Sequence, residues 1–231
     1  MTLHFRNRAE AGEMLAEKLA RYAGSPDALV LGLPRGGVPV ADAVARRLRL
    51  PLDVFVVRKL GVPGQEELAM GAIASGGVCV MNDQIVAALR LADSEVALVR
   101  AREQLELERR EHQYRSGRPE LRVKGRTVIL VDDGIATGAT MRAAAMALRK
   151  GGAGRVVVAA PVTAHTARGD LGDVADDFAA VLQPAFFQSV GQWYSDFTQV
   201  TDGEVAALLA ASPAGAGGPA DIRGDPRLGR T

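Results

Sequence analysis

The sequence predicts an α/β fold, a mainly parallel sheet flanked by helices. Strand-like and helix-like runs alternate along the 231 residues. ALVLGL (28–33), TVILVD (127–132) and RVVVAAPV (155–162) are continuous apolar runs of the kind buried on both faces of a parallel sheet. The first two each pass through a small-residue turn into a helical pattern, which makes strand-helix-strand units.

Each element has its own local signal. NRAEAGEMLAEKLARY (7–22) places Asn7 three residues before Glu10, a capping-box arrangement, and repeats apolar residues at Ala11, Leu15, Leu19 and Tyr22, so an amphipathic helix is predicted. After ALVLGL come the turn PRGG and the helix pattern VPVADAVARRL, with Pro39 tolerated in its first turn. LDVFVV (52–57) reads as the next strand. A charged turn comes next, and then LAMGAIA and VCVM, separated by SGG, read as a hairpin. Asp93 can cap a long charged helix through about residue 115, whose alternating signs indicate a largely solvated face. TVILVD leads to a helix from Thr140 to Lys150 that Gly151 and Gly152 end. The last 21 residues hold five glycines and three prolines with scarcely any large apolar side chain, the composition of a disordered tail. One domain over 1–210 and a tail over 211–231 are expected.

Composition excludes several classes. A net charge of +1 lacks the basic excess of a dedicated nucleic-acid binder. Cys79 is the lone cysteine and lies between apolar neighbours, so a buried strand thiol is expected and an intrachain disulfide cannot form. His4, His112 and His165 lie far apart and outside any ligand-spacing pattern, against a structural zinc site. The N-terminus has no apolar h-region and no run approaches the roughly 18 apolar residues of a membrane span, so a cytoplasmic protein is expected.

VILVDDGIATGATMRAA (128–144) is the stretch that carries chemistry. Ligands of such sheets bind beyond the carboxyl ends of the strands. Here a strand ends in two aspartates, and GIATGAT then offers small residues and backbone amides at a helix start, which is an anion site. A Walker loop needs a lysine where Ala139 precedes Thr140, and a dinucleotide fingerprint needs a third glycine beside Gly134 and Gly138. Two carboxylates suited to vicinal hydroxyls, next to a phosphate loop, fit a ribose 5-phosphate.

The same stretch resembles the phosphoribosyl pyrophosphate signature of type I phosphoribosyltransferases. The resemblance implies that Asp132 and Asp133 hold the ribose hydroxyls while Ala136, Thr137, Gly138, Ala139 and Thr140 wrap the 5-phosphate, with Gly134 also among the substrate-binding residues. LPRGGVPVA resembles the family's pyrophosphate loop, with Arg35, Gly36 and Gly37 at the diphosphate. VVRKLGVPGQEELAMGAI resembles its mobile catalytic loop, a lid over about 58–68 with Arg58 and Lys59 near its root; with four lysines against 24 arginines, Lys59 stands out from the background. Magnesium is implied through the substrate and not through a protein ligand set. The layout is similar to a predicted bacterial branch of these enzymes to which no acceptor is assigned.

The resemblance implies transfer of ribose 5-phosphate from phosphoribosyl pyrophosphate to a small-molecule acceptor, with release of diphosphate. Ala136 stands where enzymes for 6-oxopurines carry an aspartate, which counts against hypoxanthine and guanine and leaves adenine a candidate. QPAFFQSVGQWYSDF (183–197) holds five of the ten aromatics. A hood over about 183–200, with Trp193 and Tyr194 stacking on a planar base, is one reading of that cluster, and C-terminal packing is the other. A regulator that keeps the site without turnover, and transfer to a non-base amine or to water, are the alternatives. The family commonly forms dimers, and the helical insertion at 93–116 offers a surface for a homodimer, although its charges equally suit a solvated helix.

Overall fold

The computed structural model describes residues 4–212. The expected tail lies outside the described residues, apart from positions 211 and 212. Five parallel strands form the central sheet in the order β2-β1-β6-β7-β8. They are β1 (Ala28–Gly32), β2 (Leu52–Val54), β6 (Thr127–Val131), β7 (Arg155–Val162) and β8 (Asp177–Leu182). A second, antiparallel sheet comprises β3 (Val57–Val62), β4 (Gln65–Ala74) and β5 (Val78–Met81). The helices are α1 (Arg8–Lys18), α2 (Gly37–Leu48), α3 (Asp83–Ala88), α4 (Asp93–Arg115), α5 (Ala139–Lys150), α6 (Ala167–Asp170) and α7 (Asp202–Ala211).

The alternation of side chains along each strand splits the interior in two. Val30, Ile129 and Val157 join one core with α1, α2, α4 and α7, while Leu31, Leu130 and Val158 join the other with α5. Both faces of the sheet are covered, which is why its strands read as unbroken apolar runs. β1 and β6 pair in register from Ala28↔Thr127 to Gly32↔Val131. The turns after these strands therefore emerge side by side.

Asn7 caps α1 as the spacing predicts, accepting from the Glu10 N–H at 3.0 Å. The Glu10 carboxylate accepts from Arg6 N at 2.6 Å, one residue earlier than a reciprocal box requires. LDVFVV is two strands instead of one. Phe55 N–H still bonds Gly32 O, but Val56 N–H donates to Ser75 Oγ at 3.0 Å, so after Val54 the chain leaves the parallel sheet to pair with β4. The segment expected as a loop, 58–68, is the paired end of this β3–β4 hairpin, which turns at Pro63 and Gly64 after Val62↔Gln65. Only Gly64, at φ +77, has the left-handed backbone the turn requires. Asp93 is the first residue of α4 and not its cap. Ala92 occupies the cap position, and its N–H donates to the Glu95 carboxylate at 3.0 Å. Cys79 is half-buried on β5.

Val99, Glu103, Leu107 and Tyr114 form the buried edge of α4, while Leu98 and Leu105 are 73% and 70% exposed on the opposite side. The expectation of a solvated helix is met on that outer side. Leu107→Ala should lower unfolding free energy by about 2–5 kcal/mol, as buried leucine truncations do. Leu98→Ser should change it by no more than about 0.5 kcal/mol. Urea unfolding of both variants checks the contrast, and equal effects would contradict the packing described for α4.

Candidate functional site

The candidate site lies where β1 and β6 end. Leu33 N–H donates to Val131 O at 2.8 Å, which carries the pairing of the two strands one residue into the PRGG turn. That turn, whose Pro34–Arg35 peptide bond is cis, runs directly against the acid pair. A Cβ on Gly36 would overlap Asp133 Oδ2, and one on Gly37 would stand 2.8 Å from Asp132 Cα. The two glycines are needed here for close approach and not for an unusual backbone angle.

Asp132 and Asp133 are adjacent and part-buried. Asp132 Oδ1 accepts from Asp133 N at 2.9 Å. Burial, and after it the Asp133 carboxylate, pushes Asp132 well above the ordinary carboxylate range. Burial also raises Asp133, against the pull of the Arg8 guanidinium. Arg8 Nε donates to Asp133 Oδ2 at 2.9 Å, with both side chains mostly enclosed. Tyr194 closes the other side, its hydroxyl donating to Asp133 O at 2.6 Å. Burial and the nearby Asp133 charge move that phenol upward. The motif does not reveal Arg8, which lies 125 residues away in the chain.

Beyond the acids, Gly134 is covered by Val190, whose side chain would collide with a Cβ there. Ile135 N–H bonds Val162 O, so the loop is stitched to the end of β7. Gly138, at φ +73, is the N-cap of α5, and Ala139 and Thr140 open the helix with exposed side chains. Ala136 and Thr137 are exposed in the turn before it. The first amides of this 12-residue helix have no intrahelical acceptors, and beside small side chains they suit an anion.

The structure does not bring all the predicted cations to one point. Arg35 stands in the PRGG turn with Nη1 3.9 Å from Asp202 Oδ1 at the start of α7, and Asp202 also accepts from Tyr114 of α4 at 2.5 Å. Arg58 donates from Nε and Nη2 to Glu103 Oε2 at 2.9 and 2.6 Å, which turns it toward α4. Lys59 projects to the opposite face of the hairpin, shared in register by Ala72 and Val80. Ala72 and Val80 look across a cavity of about 490 Å³ onto Ala139, Ala143 and Met146 of α5. Neighbours in sequence on a strand are thus divided between two environments.

The expected aromatic hood is rearranged as well. Trp193 and Tyr194 are buried, with Trp193 stacked on His4 and Tyr194 between Phe5 and Phe197 at 5.3 and 5.0 Å between ring centroids. Both rings are buried against protein neighbours, which favours the packing reading of the cluster over stacking on a base. Phe186 of the same segment is 90% exposed. Among the described residues no three His, Cys, Asp or Glu side chains converge to hold a metal ion. The two carboxylates alone suit hydroxyl donors, or a cation whose remaining ligands come from elsewhere.

A family model for the phosphoribosyl transferase domain matches residues 3–184. Proteins from two Mycobacterium tuberculosis strains, each bearing a provisional phosphoribosyl transferase name, are 47% identical over 205 residues, or 89% of this chain and 46% of theirs. The chain spans about half the length of these curated relatives. The crystal structure of TT1426 from Thermus thermophilus is 46% identical, with a TM-score of 0.82, over 92% of this chain and 100% of that one.

The raised Asp132 carboxyl makes a prediction about pH. The folded state keeps the Asp132 proton above the ordinary value of 3.8 while the unfolded chain releases it, so stability falls as pH rises through that window. Asp132→Asn should therefore raise the melting temperature at neutral pH by a few degrees, and the gain should vanish below about pH 4. Thermal unfolding across pH checks this, and a loss of stability at neutral pH would contradict it.

Proposed function

This chain belongs to the phosphoribosyl transferase domain family, and from that premise we propose that it transfers the ribose 5-phosphate of phosphoribosyl pyrophosphate to a small-molecule acceptor and releases diphosphate. The observation that carries the reading is the contact of the Gly36–Gly37 turn with Asp132 and Asp133 at the ends of two paired parallel strands. A ligand spanning them meets carboxylates in the middle, amides of the α5 start on one side and the Arg35 turn on the other. Phosphoribosyl pyrophosphate has hydroxyls between two phosphate groups, and so matches that order of charges.

In this proposal Asp132 and Asp133 accept from the ribose hydroxyls. The amides and hydroxyls of 134–140 hold the 5-phosphate, and Arg35 with the amides of Gly36 and Gly37 faces the diphosphate. Magnesium carried in with the substrate would supply further neutralisation of charge on the departing group. The bond from C1 to the diphosphate oxygen breaks through an oxocarbenium-like transition state, and the acceptor attacks C1 from the opposite face. Closing of the β3–β4 hairpin as a lid would bring Lys59 toward the diphosphate and exclude water. Ala136 leaves the loop without a carboxylate at its tip, which favours an acceptor that needs no base at that position; adenine remains the candidate nucleobase. No helix among the described residues is long and apolar enough to cross a membrane, and a cytoplasmic role in nucleotide metabolism belongs to the same proposal. So does a homodimer, for which the outer side of α4 offers Leu98 and Leu105.

A second reading is a sensor that binds phosphoribosyl pyrophosphate or a nucleotide without turnover. The engagement of Arg58 by buried Glu103 favours it, since one of the two cations expected at the lid root is held by α4. Calorimetric titration with magnesium and phosphoribosyl pyrophosphate, and then diphosphate release against purines, pyrimidines and small amines, separates the readings. Acceptor-dependent release supports the transferase and names its substrate; binding without release supports the sensor, and absence of binding overturns both. In the transferase, Asp132→Asn combined with Asp133→Asn should lower turnover by about 10²-fold or more while the fold is retained. Turnover unchanged in that variant would remove the acid pair from the mechanism.

A further inference from the structure

Arg8 is the first residue of α1, a place where the helix dipole disfavours a cation. It is nevertheless fixed on three sides. Nε donates to Asp133 Oδ2, Nη1 donates to Thr198 O at 2.8 Å, and the guanidinium lies 4.0 Å from the Phe197 ring centroid. A cation held against the dipole and with little exposure is placed by its partners. Those partners are the second acid of the site and the segment that packs over it. Tyr194, from the same segment, bonds the carbonyl of the same aspartate.

We infer that Arg8 is a positioning residue for the proposed transfer. It holds Asp133 by Oδ2 so that Oδ1 is presented to a ribose hydroxyl, and it ties this carboxylate to the 197–198 segment. Arg8 does not itself touch substrate. Its charge offsets one of two adjacent carboxylates that must receive a substrate rich in negative charge, and its planar guanidinium joins Asp133 Oδ2 to the Thr198 carbonyl. The inference rests on the transferase or sensor reading, because either requires Asp133 to bind ribose.

The test is a double-mutant cycle on binding, read by calorimetry with magnesium and phosphoribosyl pyrophosphate, in the full chain. Wild type, Arg8→Gln, Arg8→Lys, Asp133→Asn and the Arg8→Gln/Asp133→Asn pair are compared, with thermal unfolding to confirm that each folds. The pair carries a neutral amide at 133 that needs no counter-charge, so it stays informative where Arg8→Gln alone fails to fold. Arg8→Gln should weaken binding by about tenfold or more, Arg8→Lys should restore part of that loss, and in the Asp133→Asn background Arg8→Gln should change affinity by less than about twofold. Where turnover is measurable, the loss should appear in KM more than in kcat. Equal binding by wild type and Arg8→Gln overturns the inference alone, as does an undiminished effect in the Asp133→Asn background. Absence of binding by wild type overturns the underlying reading, and the inference with it.

Discussion

Two adjacent carboxylates at the end of a buried strand are the constraint around which this molecule is arranged. Desolvation raises both acids, and the charge of Asp133 raises Asp132 further, so the surroundings must supply compensation. One guanidinium, from Arg8 in the first helix, supplies it at Asp133 Oδ2, while the Tyr194 hydroxyl, from the segment after the last strand, fastens the Asp133 backbone carbonyl. On the remaining side two glycines bring backbone against the acids where any side chain would collide. Distant parts of the chain are therefore all fastened to residues 132 and 133. Local cost of this kind, supported from distant elements, is a pattern that functional sites share, and it agrees with the proposed role of the acid pair.

The cations around the site are distributed with equal consequence. Arg35 leans toward Asp202, which Tyr114 also engages, and Arg58 is held by Glu103. Tyr114 and Glu103 both belong to α4, the long helix that lies outside the stretches resembling known motifs. This helix therefore reaches the proposed diphosphate turn through Asp202 and the lid root through Glu103. In the proposed reaction, release or retention of Arg58 by α4 distinguishes a hairpin that closes for catalysis from one that only senses occupancy.

Most of the parallel sheet and the proposed phosphate loop are legible in the sequence, because each is a local pattern. The unbroken apolar runs of β1, β6 and β7, the small residues from Gly134 to Thr140 and the Asn7 cap need only their neighbours to be recognised. β8 carries a weaker signal, since DFAAVL is short and has an aspartate at its start. α7 has a local signal too, because Thr201 and Glu204 repeat the capping spacing of Asn7 and Glu10. The boundary inside LDVFVV is invisible for another reason. Both halves are apolar strands, and only the Val56 and Ser75 bonds show that the second half has changed sheets.

By itself the sequence determined the α/β class, the place of the acid pair at a strand end, the small-residue loop beside it and the family resemblance. These rest on periodicity and on residue types at short spacing, which act within a turn or two of backbone. Tertiary structure alone decided which charges meet. It paired Arg8 with Asp133 across 125 positions, sent Arg58 and Lys59 to opposite faces of one strand, and packed Trp193 and Tyr194 inward. Such contacts depend on how helices lie over the two faces of the sheet. No short-range pattern encodes the distance between residues that only folding brings together.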